Sequence, residues 1–175
     1  EQHNVTKTTP PYNHISQKQS FPFDLLGSVF GDTLLNSGKA SANKDIKPRS
    51  TLTEPERDNI IEAAFSWEGV PYVGGGKTKT GVDCSNFVHI AYNNAGIPYE
   101  YTSTGGDWEK QGFRKVEIPQ KGDLILWRRS DLHHVGIVVD PVNGTFIGSQ
   151  NHGGVSVANY TKHYWRGYIF LRMYK

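Results

Sequence analysis

The 175-residue chain reads as an α+β protein in which two helices precede a central antiparallel sheet. Two observations predict this. Apolar residues recur at helical spacing across residues 54–67 and again across 83–95. From residue 123 onward every apolar run is short and strand-like. Helices first and strands after is the pattern of a sheet with its helices gathered on one side. The length suits one domain of ordinary size with some excess chain.

The excess lies at the front. Residues 1–50 carry a net charge of +2 and residues 51–175 a net of zero, while all four tryptophans fall after the boundary. The first twenty residues are polar, with Pro10-Pro11, and hold too little apolar surface to offset ordering entropy. Residues 1–50 therefore read as a polar tail or linker. Within them, residues 21–38 form a short amphipathic segment, with Leu26, Phe30 and Leu34 at helical spacing. The catalytic-size domain is expected over 51–175. The opening residues contain no basic segment leading into an apolar stretch, which leaves the export route open.

The first helix is signalled by Thr53 and Glu56 at capping-box spacing, then by Ile60, Ile61, Ala64, Phe65 and Trp67 as its apolar face. Gly69 and Pro71 are expected to end it. A glycine-rich loop follows, then a helix from about Asp83 to Asn94 with Phe87, Val88, Ala91 and Tyr92 as its stripe and Gly96 as its stop. Residues 97–121 read as a loop. Strands are expected at Asp123–Arg128, Val135–Asp140, Thr145–Gln150, Val155–Tyr160 and Tyr168–Tyr174, with Asn143-Gly144 marking a tight hairpin.

Composition excludes several classes. A net charge of +2 is too small for a protein that binds nucleic acid through phosphates. No run approaches the roughly 18 apolar residues of a membrane span. Cys84 is the sole cysteine, so neither an internal disulfide nor a Cys-rich metal site can form. His133, His134, His152 and His163 lack the spacing of a ligand set, so no metal and no cofactor is expected. Gly74-Gly75-Gly76-Lys77-Thr78 lacks phosphate-loop spacing, and its glycines serve close backbone approach, either to a substrate or to the next helix.

Cys84 sits where that loop turns into a helix. A free cysteine is often an inert buried hydrophobe. At a helix N-terminus, however, the dipole lowers a thiol's pKa and raises its thiolate fraction. A nucleophilic thiol needs a base, and His134 opens the apolar strand His134-Val135-Gly136-Ile137, where a rigid element would hold its imidazole. By strand alternation His133 faces the other way, toward solvent. A third polar group should orient the imidazole. Gln150 and His152, at the end of the next run, are both candidates.

Four motifs in order, Gly69-Val-Pro71-Tyr72-Val-Gly-Gly-Gly, Asp83-Cys84-Ser85-Asn86-Phe87-Val88, Gly122-Asp123-Leu124-Ile125 and His134-Val-Gly136-Ile137, resemble the NlpC/P60 family over about residues 54–172. These are papain-like cysteine peptidases of bacterial cell walls. The resemblance implies Cys84 as nucleophile and His134 as base, acting on peptidoglycan stem peptides at the D-γ-glutamyl–diaminopimelate bond. It also implies Tyr72 lining the cleft, and Asp83 and Ser85 contacting a free stem-peptide amine. It places the protein in the bacterial envelope (periplasm) or outside the cell, with an inhibitor or immunity protein as a further possible partner. Three positions depart from the family's pattern. Gly74 stands where a tryptophan is usual, Asn86 where a glycine is usual, and Gly148 where a third polar residue often follows Phe146-Ile147. Gln150, on the same face, is the preferred substitute, with His152 as the alternative. An N-acetylmuramoyl-L-alanine amidase and an inactive peptidoglycan-binding module are the rival readings.

Overall fold

The computed structural model describes residues 50–175, so the expectations for 1–49, including the 21–38 segment, lie outside the described residues. Helix α1 spans Glu54–Phe65. Its start follows from its sequence: the Glu56 carboxylate accepts from the Thr53 backbone N–H at 2.8 Å and the Thr53 hydroxyl at 3.0 Å. Pro55 sits in the first turn, where its missing N–H costs nothing. The helix ends at Phe65, ahead of the expected Gly69. The Trp67 backbone bonds back to Ala64, and Gly69 then turns the chain at a φ of +83°.

The glycine loop contains a small hairpin that periodicity does not signal, β1 (Lys77–Thr78) against β2 (Gly81–Val82). A Cβ on Gly76 would lie 2.5 Å from the Gly81 carbonyl oxygen. The close approach at Gly76 is thus to the backbone of β2, while a Cβ on Gly74 or Gly75 would meet nothing within 4 Å. Helix α2 spans Cys84–Asn94 with Asp83 as its N-cap, and Phe87, Val88, Ala91 and Tyr92 are all fully buried.

A six-stranded antiparallel sheet follows, in the order β3-β8-β4-β5-β6-β7. Its strands are β3 (Phe113–Val116), β4 (Leu124–Arg129), β5 (Leu132–Asp140), β6 (Thr145–Gln150), β7 (Gly154–Asn159) and β8 (Tyr168–Met173). Five match the sequence expectation to within three residues at either end. Strand β3 lies in the stretch expected to be loop, because its four residues Phe-Arg-Lys-Val alternate too briefly to register. The β5–β6 connection takes the four residues 141–144, and the Asp140 carboxylate ties it by accepting from the N–H groups of Val142 and Asn143.

Strand alternation sorts the apolar side chains into two layers. Leu124, Leu126, Val135, Ile137, Ile147, Leu171 and Met173 face α1 and α2. Ile125, Trp127, Val138, Phe146 and Phe170 form a second cluster on the other face. His134 pairs in register with Trp127 and shares that second face, while its neighbour Val135 faces α2. Helix α2 lies on β5 and β6, and the Cys84 thiol at its N-terminus meets the backbone N–H of Val135, next to His134.

Candidate active site

Cys84, Tyr72, His134, Gln150 and His152 line one cavity of about 230 Å³. Five of the seven residues singled out from the sequence thus converge, from a loop, a helix, two strands and the turn after β6. Asp83 and Ser85 do not line it; they sit at the first turn of α2, behind the thiol.

Cys84 is 8% exposed. Burial pushes its thiol above the ordinary value, the Val135 backbone N–H opposes this, and the Asp83 carboxylate adds to it. The thiolate enrichment expected from the helix dipole is therefore overridden: desolvation of the charged form outweighs a partial charge. The Val135 contact also locates the sulfur, against the backbone of the residue that follows His134.

His134 is 6% exposed, and burial lowers its pKa to about 4. The ring is enclosed by aromatic side chains: Trp165 with centroids 5.5 Å apart, Trp127 at 5.6 Å and Phe146 at 6.1 Å. Trp127 Nε1 donates to the Trp165 carbonyl at 2.6 Å, which locks the two indoles together. His133 is exposed, as expected, but it lines the same cavity as His134 and does not face away from it.

The Nε2 atom of His134 and the Oε1 atom of Gln150 are both buried without a hydrogen-bond partner. They converge on the space above Gly148. A Cβ there would lie 3.1 Å from His134 Nε2 and 3.3 Å from Gln150 Oε1. The Gln150 amide is oriented by its Nε2, which donates to the Ser156 carbonyl at 3.0 Å, so its oxygen is the atom turned inward. His152 is exposed at the cavity rim.

At the first turn of α2 the Asp83 carboxylate is fully engaged. Oδ1 accepts from the Asn86 backbone N–H at 2.7 Å and the Ser85 hydroxyl at 3.1 Å. Oδ2 accepts from Asn86 Nδ2 at 2.9 Å and the Gly75 N–H at 3.0 Å. Ser85 in turn bonds the Tyr101 hydroxyl at 3.0 Å. Burial raises the pKa of Tyr72, and the charges of Cys84 and Asp83 raise it further, so its ring stands beside the thiol. At Gly74 a side chain would meet nothing within 4 Å.

Sequence reasoning missed Tyr164 and Trp165, which both sit in a one-turn 3₁₀ helix (His163–Trp165) and line the cavity. No pattern in the sequence marks them, because the contact of Trp165 with His134, and that of Tyr164 with Trp165, form only once the chain some thirty residues on is folded back against the sheet. Among the described residues no three His, Cys, Asp or Glu side chains cluster as metal ligands would.

A buried thiol at a helix N-terminus, set against an imidazole on an antiparallel sheet, defines a cysteine–histidine cleft of the papain-like kind. Residues 69–173 match the NlpC/P60 family. This chain belongs to the NlpC/P60 family. It is 30% identical over 117 residues to the murein DD-endopeptidase MepS/murein LD-carboxypeptidase of Escherichia coli strain K12, covering 63% of this chain and 58% of that protein. It is 29% identical over 102 residues to the γ-D-glutamyl-L-lysine dipeptidyl-peptidase of Bacillus cereus, covering 55% of this chain and 30% of that one. A crystal structure of an NlpC/P60 family protein from Bacillus cereus superposes with a TM-score of 0.58 at 28% identity, over 71% of this chain and 41% of that one. The chain thus spans little more than half the length of the E. coli protein.

Proposed function

We propose that this chain is a cysteine peptidase that hydrolyses peptidoglycan stem peptides at the D-γ-glutamyl–diaminopimelate bond, in the bacterial envelope or after secretion. Residues 51–175 are its catalytic domain and residues 1–50 a tail. The observation that carries this reading is the shared cavity of Cys84 and His134, with the thiol at a helix N-terminus and the imidazole walled in by aromatic rings.

The pair rests neutral, since burial raises the thiol and lowers the imidazole. Attack therefore couples to proton transfer: His134 takes the Cys84 proton as the sulfur adds to the amide carbonyl. The developing oxyanion lies near the Cys84 backbone N–H, at the first turn of α2, which has no partner within the helix. Collapse expels the amine, protonated by the His134 imidazolium, and leaves a thioester on Cys84. Water, deprotonated by the same imidazole, then releases the acid. Gln150 is the positioning residue of this scheme. Its inward Oε1 and His134 Nε2 face the same space without a partner, and an Nε2–H turned onto that oxygen would leave Nδ1 free to receive the thiol proton. Tyr72 forms one wall of the cleft.

Mass spectrometry of purified muropeptides after incubation tests the reading, beside Cys84→Ala. New fragments split at the D-glutamyl–diaminopimelate bond, absent with the variant, are expected. Release of whole stems from the sugar would make it an amidase instead. A folded protein yielding no Cys84-dependent product would leave peptidoglycan binding without hydrolysis.

A further inference from the structure

Residues 160–167 join β7 to β8 and carry Tyr164 and Trp165, which line the cavity. Three successive carbonyls of this segment are held by side chains of β4. Trp127 Nε1 donates to the Trp165 carbonyl. Arg129 Nη1 donates to the carbonyls on either side, Tyr164 at 3.2 Å and Arg166 at 2.8 Å. Trp127 and Arg129 stand two positions apart on one strand and so reach out from the same face of the sheet. The other edge of the guanidinium is taken by Asp131, whose Oδ1 accepts from Nε at 2.7 Å and whose Oδ2 accepts from Nη2. A planar fork with five fixed donors bonds both sides at once. The chain also makes room for this side chain: Gly167 has a φ of +78°, and a Cβ on it would lie 2.9 Å from Arg129 Cδ.

The segment so clamped is one wall of the cleft. Trp165 packs on His134 at 5.5 Å and on Phe146 at 4.9 Å between ring centroids, and the exposed Tyr164 ring stands edge-on to Trp165 at 4.8 Å. We infer that Arg129 is a positioning residue of the active site, which holds the Tyr164–Trp165 wall against His134 and so keeps water from the imidazole. The inference rests on the peptidase reading above and adds to it a residue outside the cavity lining. The titratable groups around the ring are Cys84 on α2, Tyr72 on the loop before it, His133 on β5, His152 after β6 and Tyr164 beside Trp165, with Asp83 behind the thiol. Strand β4 brings Arg129 itself, already paired with Asp131. Burial is what lowers the His134 pKa, so Arg129 acts through the wall and not through its charge.

The test is the titration of His134 in the full chain, followed by the NMR signals of its ring protons and assigned by their loss in His134→Leu; it needs no substrate. The wild-type ring is expected to titrate near pH 4, and the ring in Arg129→Met about one pH unit or more higher, as water enters past the loosened wall. On a stem tetrapeptide, kcat should fall about tenfold with less change in KM, and the acid limb of kcat/KM should move up with the ring. A merely structural role would lower the amount of active protein and leave that limb in place. A wild-type ring titrating near 6.5, or a folded Arg129→Met titrating as wild type does, would overturn the inference. If Arg129→Met does not fold, Arg129→Lys takes its place, since an ammonium cannot hold both carbonyls and the Asp131 carboxylate in the guanidinium's plane. Its ring is then expected to titrate above that of wild type, and an unchanged titration would overturn the inference. No hydrolysis of any muropeptide by the wild type would overturn the peptidase reading and leave the titration to decide the role of Arg129.

Discussion

His134 is held by shape more than by hydrogen bonds. Three aromatic rings surround its imidazole, and its Nε2 has no settled partner. The residue that would settle it stands two positions beyond the family's usual place, because Gly148 has no side chain and leaves the space to the Gln150 amide. An amide oxygen accepts one imidazole proton without adding charge, which suits a ring kept neutral by burial. Gln150→Leu should therefore lower kcat by about 10–100-fold with little change in KM, in line with the loss of a residue that orients another. Gln150→Asn, too short to reach, should behave like the leucine variant, while His152→Ala, at the exposed rim, should stay close to wild type. Steady-state kinetics on a stem tetrapeptide checks all three. A larger loss for His152→Ala than for Gln150→Leu would transfer the positioning role to His152.

The elements that carry these residues are joined by polar contacts whose partners lie far apart in sequence. Asp123, at the start of β4, is 1% exposed and bonds Arg57 of α1 at 3.0 Å and Arg172 of β8 at 2.8 Å. It also receives the Gln120 N–H at 2.8 Å, closing the turn before the strand. A buried carboxylate between two guanidinium groups adds little net stability when whole, but removing it strands buried positive charge. Asp123→Ala should cost about 3–5 kcal/mol, measured by urea unfolding. Asp123→Asn, which keeps the shape and half of the acceptors, should cost less. Near-equal losses would mean that packing, and not charge, holds this junction. The same principle operates at the N-terminus of α2, where Asp83 joins the helix to the glycine loop. A helix whose first turn is so braced presents its thiol in a fixed place.

For the whole molecule, burial of a neutral imidazole links folding to pH. His134 has a folded pKa of about 4 against an ordinary 6.5, so the unfolded chain binds the extra proton between those values. Stability is full above pH 6.5 and falls as pH drops toward 4, by about 1.4 kcal/mol per pH unit from this group. Glu56 acts lower on the scale. Lys175 and the Thr53 backbone hold its pKa at about 2, against 4.5, so its contribution is present above pH 4.5 and is lost as pH falls toward 2. Urea unfolding of wild type and His134→Leu between pH 7 and 4 separates the two. The variant should lose the steeper part of the dependence above pH 4, and parallel curves would show that the imidazole is not buried uncharged. The Glu56–Lys175 contact also closes the domain, with the Lys175 N–H bonding the Ser50 carbonyl at 2.9 Å.

Much of this protein was written locally in its sequence. The capping box at Thr53, the stripe on α2, the alternation of five strands and the placement of Cys84 at a helix start all arise within a few residues, where spacing is the physical signal. The order of four short motifs carried the family, and with it the expectation that Cys84 and His134 act together. Tertiary structure decided what depends on distant neighbours. Desolvation raised the thiol pKa against the helix dipole, because burial depends on everything packed around the sulfur and the dipole only on its own helix. The Trp165 wall, the turn of Gln150 into the space over Gly148, and the filling of Asp83 by Asn86 are likewise matters of which atoms meet. The chain alone names those residues; only the packed sheet and helix bring them within reach of one another.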